Sequence, residues 1–106
     1  MIKVSVLTKD NQFQSMEVSG HAGSGEPGFD LVCAGVSSIM TGALNGFDTL
    51  DNTVDLTMTQ EPLVKIEILN QSDLNQKLFE FVLIQLKTIE FAHPEYIEIN
   101  EKEVIS

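Results

Sequence analysis

Gly20-His21-Ala22-Gly23-Ser24-Gly25-Glu26-Pro27-Gly28-Phe29-Asp30-Leu31-Val32-Cys33-Ala34-Gly35 divides the chain into a strand-patterned start and a helix-patterned continuation. Four of the seven glycines fall between positions 20 and 28. No large side chain appears in this loop before Phe29, and a loop so bare lies close to another backbone or moves. Asp30 has the chemistry of a helix N-cap, and the apolar run from Leu31 reads as the helix body. That reading puts Cys33 at the third helical position, where unsatisfied N–H groups and the helix dipole favour a thiolate. Cys33 is the only cysteine and His21 one of only two histidines. An imidazole nearby would favour the thiolate further and could carry the proton. The spacing alone equally suits a small buried cysteine with an unrelated loop histidine.

Outward from this stretch the patterns are regular. Ile2, Val4 and Val6 alternate with Lys3 and Ser5, as in a half-buried strand. Lys9-Asp10-Asn11-Gln12 is turn-like, and Phe13 to Ser19 returns as a second strand. This hairpin delivers His21 at its far end. The first helix is predicted from about Leu31 to about Leu50, with Asn45-Gly46 as an alternative end. Gly35, Gly42 and Gly46 each weaken it by about 1 kcal/mol relative to alanine, and close approach of another backbone is the usual offset. With Ala34, Ser37, Ser38 and Ala43 also small, the helix reads as buried on most sides, against the sheet and against a second copy of the chain.

Thr53 to Gln60 and Leu63 to Leu69 form a second alternating pair around Gln60-Glu61-Pro62. Ser72 is a good N-cap for a second helix running to about Ala92, where His93-Pro94 stops it. Its apolar face is read as Leu74, Leu78, Phe81, Val82 and Ile89, with Ile84 in the polar stripe. His93 reads as a C-terminal cap residue. Tyr96 to Ile99 alternates as a last strand. The order β-β-α-β-β-α-β predicts one α+β domain over residues 1–106: two layers, a mainly antiparallel sheet with both helices on one side.

The chain has 106 residues, 42% of them hydrophobic and 21% charged, which suits one globular domain. A net charge of −10 excludes phosphate-led binding of DNA or RNA and suits a basic partner. One cysteine allows no internal disulfide. Met1-Ile2-Lys3 leads into a strand pattern rather than a signal peptide. The longest uncharged stretch, Leu31 to Phe47, is too short and too rich in Gly, Ser, Thr and Asn to span a bilayer. A cytoplasmic protein without a membrane anchor is expected. One Cys and two His, with His93 remote, fall short of a four-ligand metal site, and no cofactor is implied.

Gly20-His21-Ala22-Gly23, followed by Asp30-Leu31-Val32-Cys33-Ala34-Gly35-Val36-Ser37, resembles the signature of the bacterial ribosomal-processing cysteine protease family, Prp. The resemblance extends over nearly the whole chain, in length and in the order of its elements. It implies an endopeptidase that removes a short N-terminal extension from a large-subunit ribosomal protein, the one whose N-terminal arm reaches the peptidyl-transferase centre. It implies Cys33 as nucleophile and His21 as base. Asp30 and Ser37 match further motif positions. Asp30 either orients His21 or only caps the helix. Ser37, one turn after Cys33, either supports the site or bonds back to its own backbone. The N–H groups at the helix start would stabilise the oxyanion. The loop of Gly23, Ser24, Gly25, Glu26 and Gly28 would close over the peptide. The competing classes are a non-catalytic acidic module that captures a basic ribosomal segment, and another thiol enzyme such as an acyltransferase or a redox sensor.

Overall fold

The computed structural model describes residues 1–20, 27–59 and 63–105, and for 27–30 and 63 only their secondary structure. His21, Ala22, Gly23, Ser24, Gly25 and Glu26, and the expected turn at Gln60-Glu61-Pro62, lie outside it. Among the described residues seven elements occur, in the expected order: β1 (Ile2–Lys9), β2 (Gln12–Ser19), α1 (Pro27–Leu50), β3 (Val54–Thr59), β4 (Leu63–Ile68), α2 (Asp73–Ala92) and β5 (Ile97–Glu103). The five strands form one sheet in the order β3-β4-β2-β1-β5. Every pairing is antiparallel except β1 with β5, which is parallel.

Local chemistry accounts for the junctions. Asp10 and Asn11 take φ of 53° and 62°, the left-handed pair that a two-residue hairpin needs and that Asp and Asn tolerate. The β1–β2 register shifts between Leu7 and Thr8. Beside that irregularity the Gln76 side chain takes over both backbone groups of Phe13, accepting from its N–H at 2.7 Å and donating to its carbonyl at 3.0 Å. Phe13 stacks on Phe79 with ring centroids 4.5 Å apart. Ser72 caps α2 in a capping box: its hydroxyl accepts from Asn75 N–H, and Asn75 Oδ1 accepts from Ser72 N–H. His93 is the C-cap, as expected, and its N–H donates to Ile89.

The core lies between the sheet and the two helices. Val4, Val6, Met16, Ile66 and Ile97 meet Val32, Val36, Met40 and Phe47 of α1 and Phe79, Val82, Leu83 and Leu86 of α2. Three expectations change here. First, α1 starts at Pro27, not Leu31. Proline suits the first helical position because its φ is preset and no N–H is needed there. Asp30 is therefore the fourth helical residue rather than the N-cap, and Gly28 belongs to the helix rather than to the loop. Second, α1 buries one stripe only. Leu31, Ala34, Ser37, Ser38, Thr41, Gly42 and Asn45 are exposed. No backbone beyond the helix's own approaches Gly35, Gly42 or Gly46: a Cβ on Gly35 would meet only Ile89 Cδ1 at 3.5 Å, and on Gly42 or Gly46 nothing within 4 Å. Third, α2 is turned on its axis. Phe79, Leu83 and Leu86 are buried, while Leu74 is 48% and Phe81 63% exposed. Ile84 is exposed, as its place in the polar stripe suggested.

Candidate active site

β2 ends at Ser19, opposite Lys3 of β1 on one side and Leu63 of β4 on the other. Leu63 in turn faces Thr59, the last residue of β3. Three strand ends thus line one end of the sheet, spaced about 4.8 Å apart per strand. The next residue, Gly20, holds φ of +132°, and a Cβ there would lie 2.7 Å from Met1 O and 2.8 Å from Ile2 Cα. Only glycine fits. The described chain leaves the sheet at this pinned point, one residue before His21, which is itself outside the described residues.

The chain re-enters at Pro27, the first residue of α1. Cys33 is the seventh helical residue, in the second turn rather than the first. Because the dipole's effect fades within one turn, the helix end does less for a Cys33 thiolate than the expected start would have done. Of the first helical residues, Gly28 and Phe29 have N–H groups with no acceptor inside the helix, while Pro27 has no N–H. Helical side chains lean towards the N-terminus, so the Cys33 side chain leans over that turn. Its own N–H falls within the helical ladder.

Cys33 is half-buried, at the border of the stripe Val32, Val36, Met40, Phe47. α2 packs on the opposite flank of α1, where Gly35 meets Ile89. At 100° per residue, Cys33 projects roughly 160° round the helix from Gly35. It therefore looks away from α2, towards the β3–β4 side of the sheet. Ser37 follows one turn later and is exposed. The Asp30 side chain is outside the description. His93 closes α2, on the flank that Cys33 does not face; its Nδ1 lies 3.9 Å from Glu95 Oε1.

A second polar cluster joins the far ends of the helices. Asp51 accepts from the Thr53 hydroxyl, from Thr53 N–H at 2.8 Å and from Asn75 Nδ2 at 2.9 Å. The Thr53 bonds foremost, with Asn75 adding to them, hold the Asp51 carboxyl below the usual carboxylate range. Asn75 is fully buried and also donates to Asn70 O at 2.7 Å. The sequence signalled its capping role only as the third residue after Ser72. Gly20 was visible as a glycine in the motif, but its contact with Met1 and Ile2 was not.

The model of the family described as cysteine protease Prp matches residues 1–98. A ribosomal processing cysteine protease Prp of Mycoplasma pneumoniae is 31% identical over 102 residues, 96% of each chain. The crystal structure of the Prp protease of Staphylococcus aureus with a covalently linked product peptide is similar at a TM-score of 0.85 and 30% identity, covering 96% of this chain and 100% of that one. A Streptococcus mutans crystal structure is similar at a TM-score of 0.85 and 31% identity, covering 98% of this chain and 96% of the other. The fold, the element order and these likenesses agree, and the chain belongs to the Prp family of ribosomal-processing cysteine proteases.

Proposed function

We propose that Cys33 and His21 form a catalytic dyad that removes the N-terminal extension of a large-subunit ribosomal protein in the cytoplasm. The observation that carries the dyad is the setting of Cys33: half-buried beside the core stripe, on the flank of α1 that α2 leaves open. A core cysteine would be unreachable, and a fully exposed one would have nothing to orient it. In the reaction, the Cys33 thiolate attacks the scissile carbonyl carbon and His21 holds the thiol proton. The C–N bond breaks, the amine leaves with that proton, and Cys33 keeps the acyl group as a thioester. Water, deprotonated by His21, then attacks the thioester, releasing the carboxylate and restoring the thiol. N–H groups of the first helical turn are the nearest backbone donors for the oxyanion. In this reading Asp30, the fourth residue of α1, orients His21, and Ser37 supports the site one turn after Cys33. The loop of Gly23, Ser24, Gly25 and Glu26, without Gly28, covers the peptide.

The substrate assignment rests on the family and on the peptide carried by the S. aureus structure. The net charge of −10 suits a basic ribosomal partner. The test is mass spectrometry of the extended ribosomal protein after incubation with wild type, Cys33→Ala and His21→Ala. A single N-terminal trimming event with wild type only is expected. Trimming by Cys33→Ala would refute the mechanism. Binding without trimming by all three would make the chain an acidic capture module.

We also propose that the chain forms a homodimer. A groove of about 300 Å³ between the helices is lined by Ser38, Gly42, Gly46, Leu78, Phe81 and Gln85 among others. Phe81, 63% exposed, stands at this groove. Sedimentation equilibrium should give twice the chain mass for wild type and a monomer for Gly42→Glu. A wild-type monomer at high concentration would refute it.

A further inference from the structure

We propose that the substrate peptide binds as an added strand on the outer edge of β3, with its alternate side chains lying between Leu56 and Met58 of β3 and the Cys33 flank of α1. The proposal rests on the protease reading above and says where its substrate lies.

Among the described residues β3 is an outer strand of the sheet, with β4 on one side only. The phase of the ladder decides which groups face outward. Leu69 N–H donates to Thr53 O at 2.9 Å, so Thr53 and Leu69 form a hydrogen-bonded pair. Continuing that register, Asp55, Thr57 and Thr59 bond to β4, and the N–H and C=O of Val54, Leu56 and Met58 point to the open edge. The other outer strand, β5, is guarded by Glu98, Glu101, Lys102 and Glu103. β3, Val-Asp-Leu-Thr-Met-Thr, has one charge and no Lys or Pro to discourage pairing. An extended peptide is the partner whose chemistry matches a row of unpaired main-chain donors and acceptors.

The side chains point the same way. Val54, Leu56 and Met58 pair with Ile68, Ile66 and Val64, so all of them lie on the helix side of the sheet. Val54 and Leu56 are half-buried there, yet Met58 is 61% exposed. α1 does not reach over it. Met58 is thus an apolar side chain on the inner face, uncovered, at the end of β3 that lies level with β2's end across β4. Cys33 stands about 25 Å along α1 from Leu50, and Thr59 about 17 Å along β3 from Val54, with only three residues between the two elements. The uncovered end of β3 and the cysteine therefore belong to the same end of the molecule. A peptide on this edge presents alternate side chains to Met58, favouring apolar residues there, and runs on past Thr59 towards Cys33.

The experiment is amide hydrogen exchange by NMR on Cys33→Ala, with and without a saturating peptide that spans the cleavage junction of the extended ribosomal protein. The amides of Leu56 and Met58 should slow about tenfold or more, the effect of one added hydrogen bond, and Thr57, already in the ladder, should not. Met58→Pro in the active chain removes one outward N–H without touching the β4 ladder. It should lower kcat/KM about two- to tenfold while leaving the alkylation rate of Cys33 unchanged. If wild type cleaves the peptide but Leu56 and Met58 exchange as before, the edge proposal is overturned and the protease reading stands. If wild type neither binds nor cleaves it, the protease reading fails and takes the edge proposal with it.

Discussion

Gly20→Ala is the perturbation with the largest consequence for its size. A methyl group at this position would lie 2.7 Å from Met1 O, 2.8 Å from Ile2 Cα and 3.3 Å from Ile2 N. The neighbour cannot give way cheaply: Ile2 is 4% exposed, and its N–H donates to Tyr96 O at 2.9 Å, holding β1 to the start of β5. The backbone is strained as well, because φ of +132° is a conformation that L side chains rarely adopt. Strain of this kind costs about 1–3 kcal/mol and a forced contact in a packed place a similar amount, so the loss should be about 2–6 kcal/mol. For a domain of this size that corresponds to a fall in Tm of about 10 °C or more. The assay is thermal unfolding by circular dichroism, with peptide cleavage measured at a temperature where the variant is still folded. Cleavage should fall too, since the residue sits immediately before His21. Gly42→Ala is the control with the opposite sign. Nothing lies within 4 Å of its Cβ, so it should stabilise the helix by about 0.5–1 kcal/mol. A Gly20→Ala chain melting within about 2 °C of wild type would refute both the contact and the strain argument.

Asn75→Ala removes a fully buried side chain that makes three hydrogen bonds, to Ser72, Asp51 and Asn70. Urea unfolding should show a loss of about 2–4 kcal/mol, and a loss under 1 kcal/mol would show that water replaces those bonds. Because hydrogen bonds from Thr53 and Asn75 depress the Asp51 carboxyl, its stabilisation is complete above the ordinary value of 3.8 and is lost as pH falls through the lower folded value. The stability gap between wild type and Asp51→Asn should therefore shrink between about pH 5 and about pH 2; a constant gap would contradict this. Asp30→Ala, with the helix start at Pro27, should change stability by less than about 0.5 kcal/mol in the same urea assay. A loss near 1 kcal/mol would restore Asp30 as the cap, and a fall in kcat without a stability change would support its orienting His21.

The strands and most boundaries were legible because they depend on near neighbours. Alternation at Ile2, Val4, Val6 and at Val64, Ile66, Ile68 marks residues that one buried face selects, and those residues are buried or half-buried. Ser72 and His93-Pro94 act within one turn of themselves, and both helix ends fall where they indicate. The start of α1 differs from the sequence reading for an equally local reason: Pro27-Gly28 reads as loop beside its neighbouring glycines, yet proline is at home in the first helical position. Cys33 and His21 were legible only as a motif, since no local rule joins a strand end to a helix across a glycine loop.

The rest depends on packing. Outside its polar stripe α2 is broadly apolar, from Leu74, Leu78 and Phe79 through Phe81, Val82, Leu83 and Leu86, so its periodicity does not fix which part of that face meets the sheet. The sheet selects Phe79, Leu83 and Leu86 because those side chains meet Val6, Met16 and their neighbours, and Phe81 is left outside. Likewise, alternation placed Met58 inside with Val54 and Leu56, and it stands on that face, but only the path of α1 decides that it is left uncovered. By itself the sequence determined the elements, their order and the two motif residues, each a matter of short-range chemistry. Tertiary structure alone decided which strand lies at the edge, that β5 runs parallel to β1, and which flank of α1 Cys33 faces, because these depend on contacts between residues far apart in the chain.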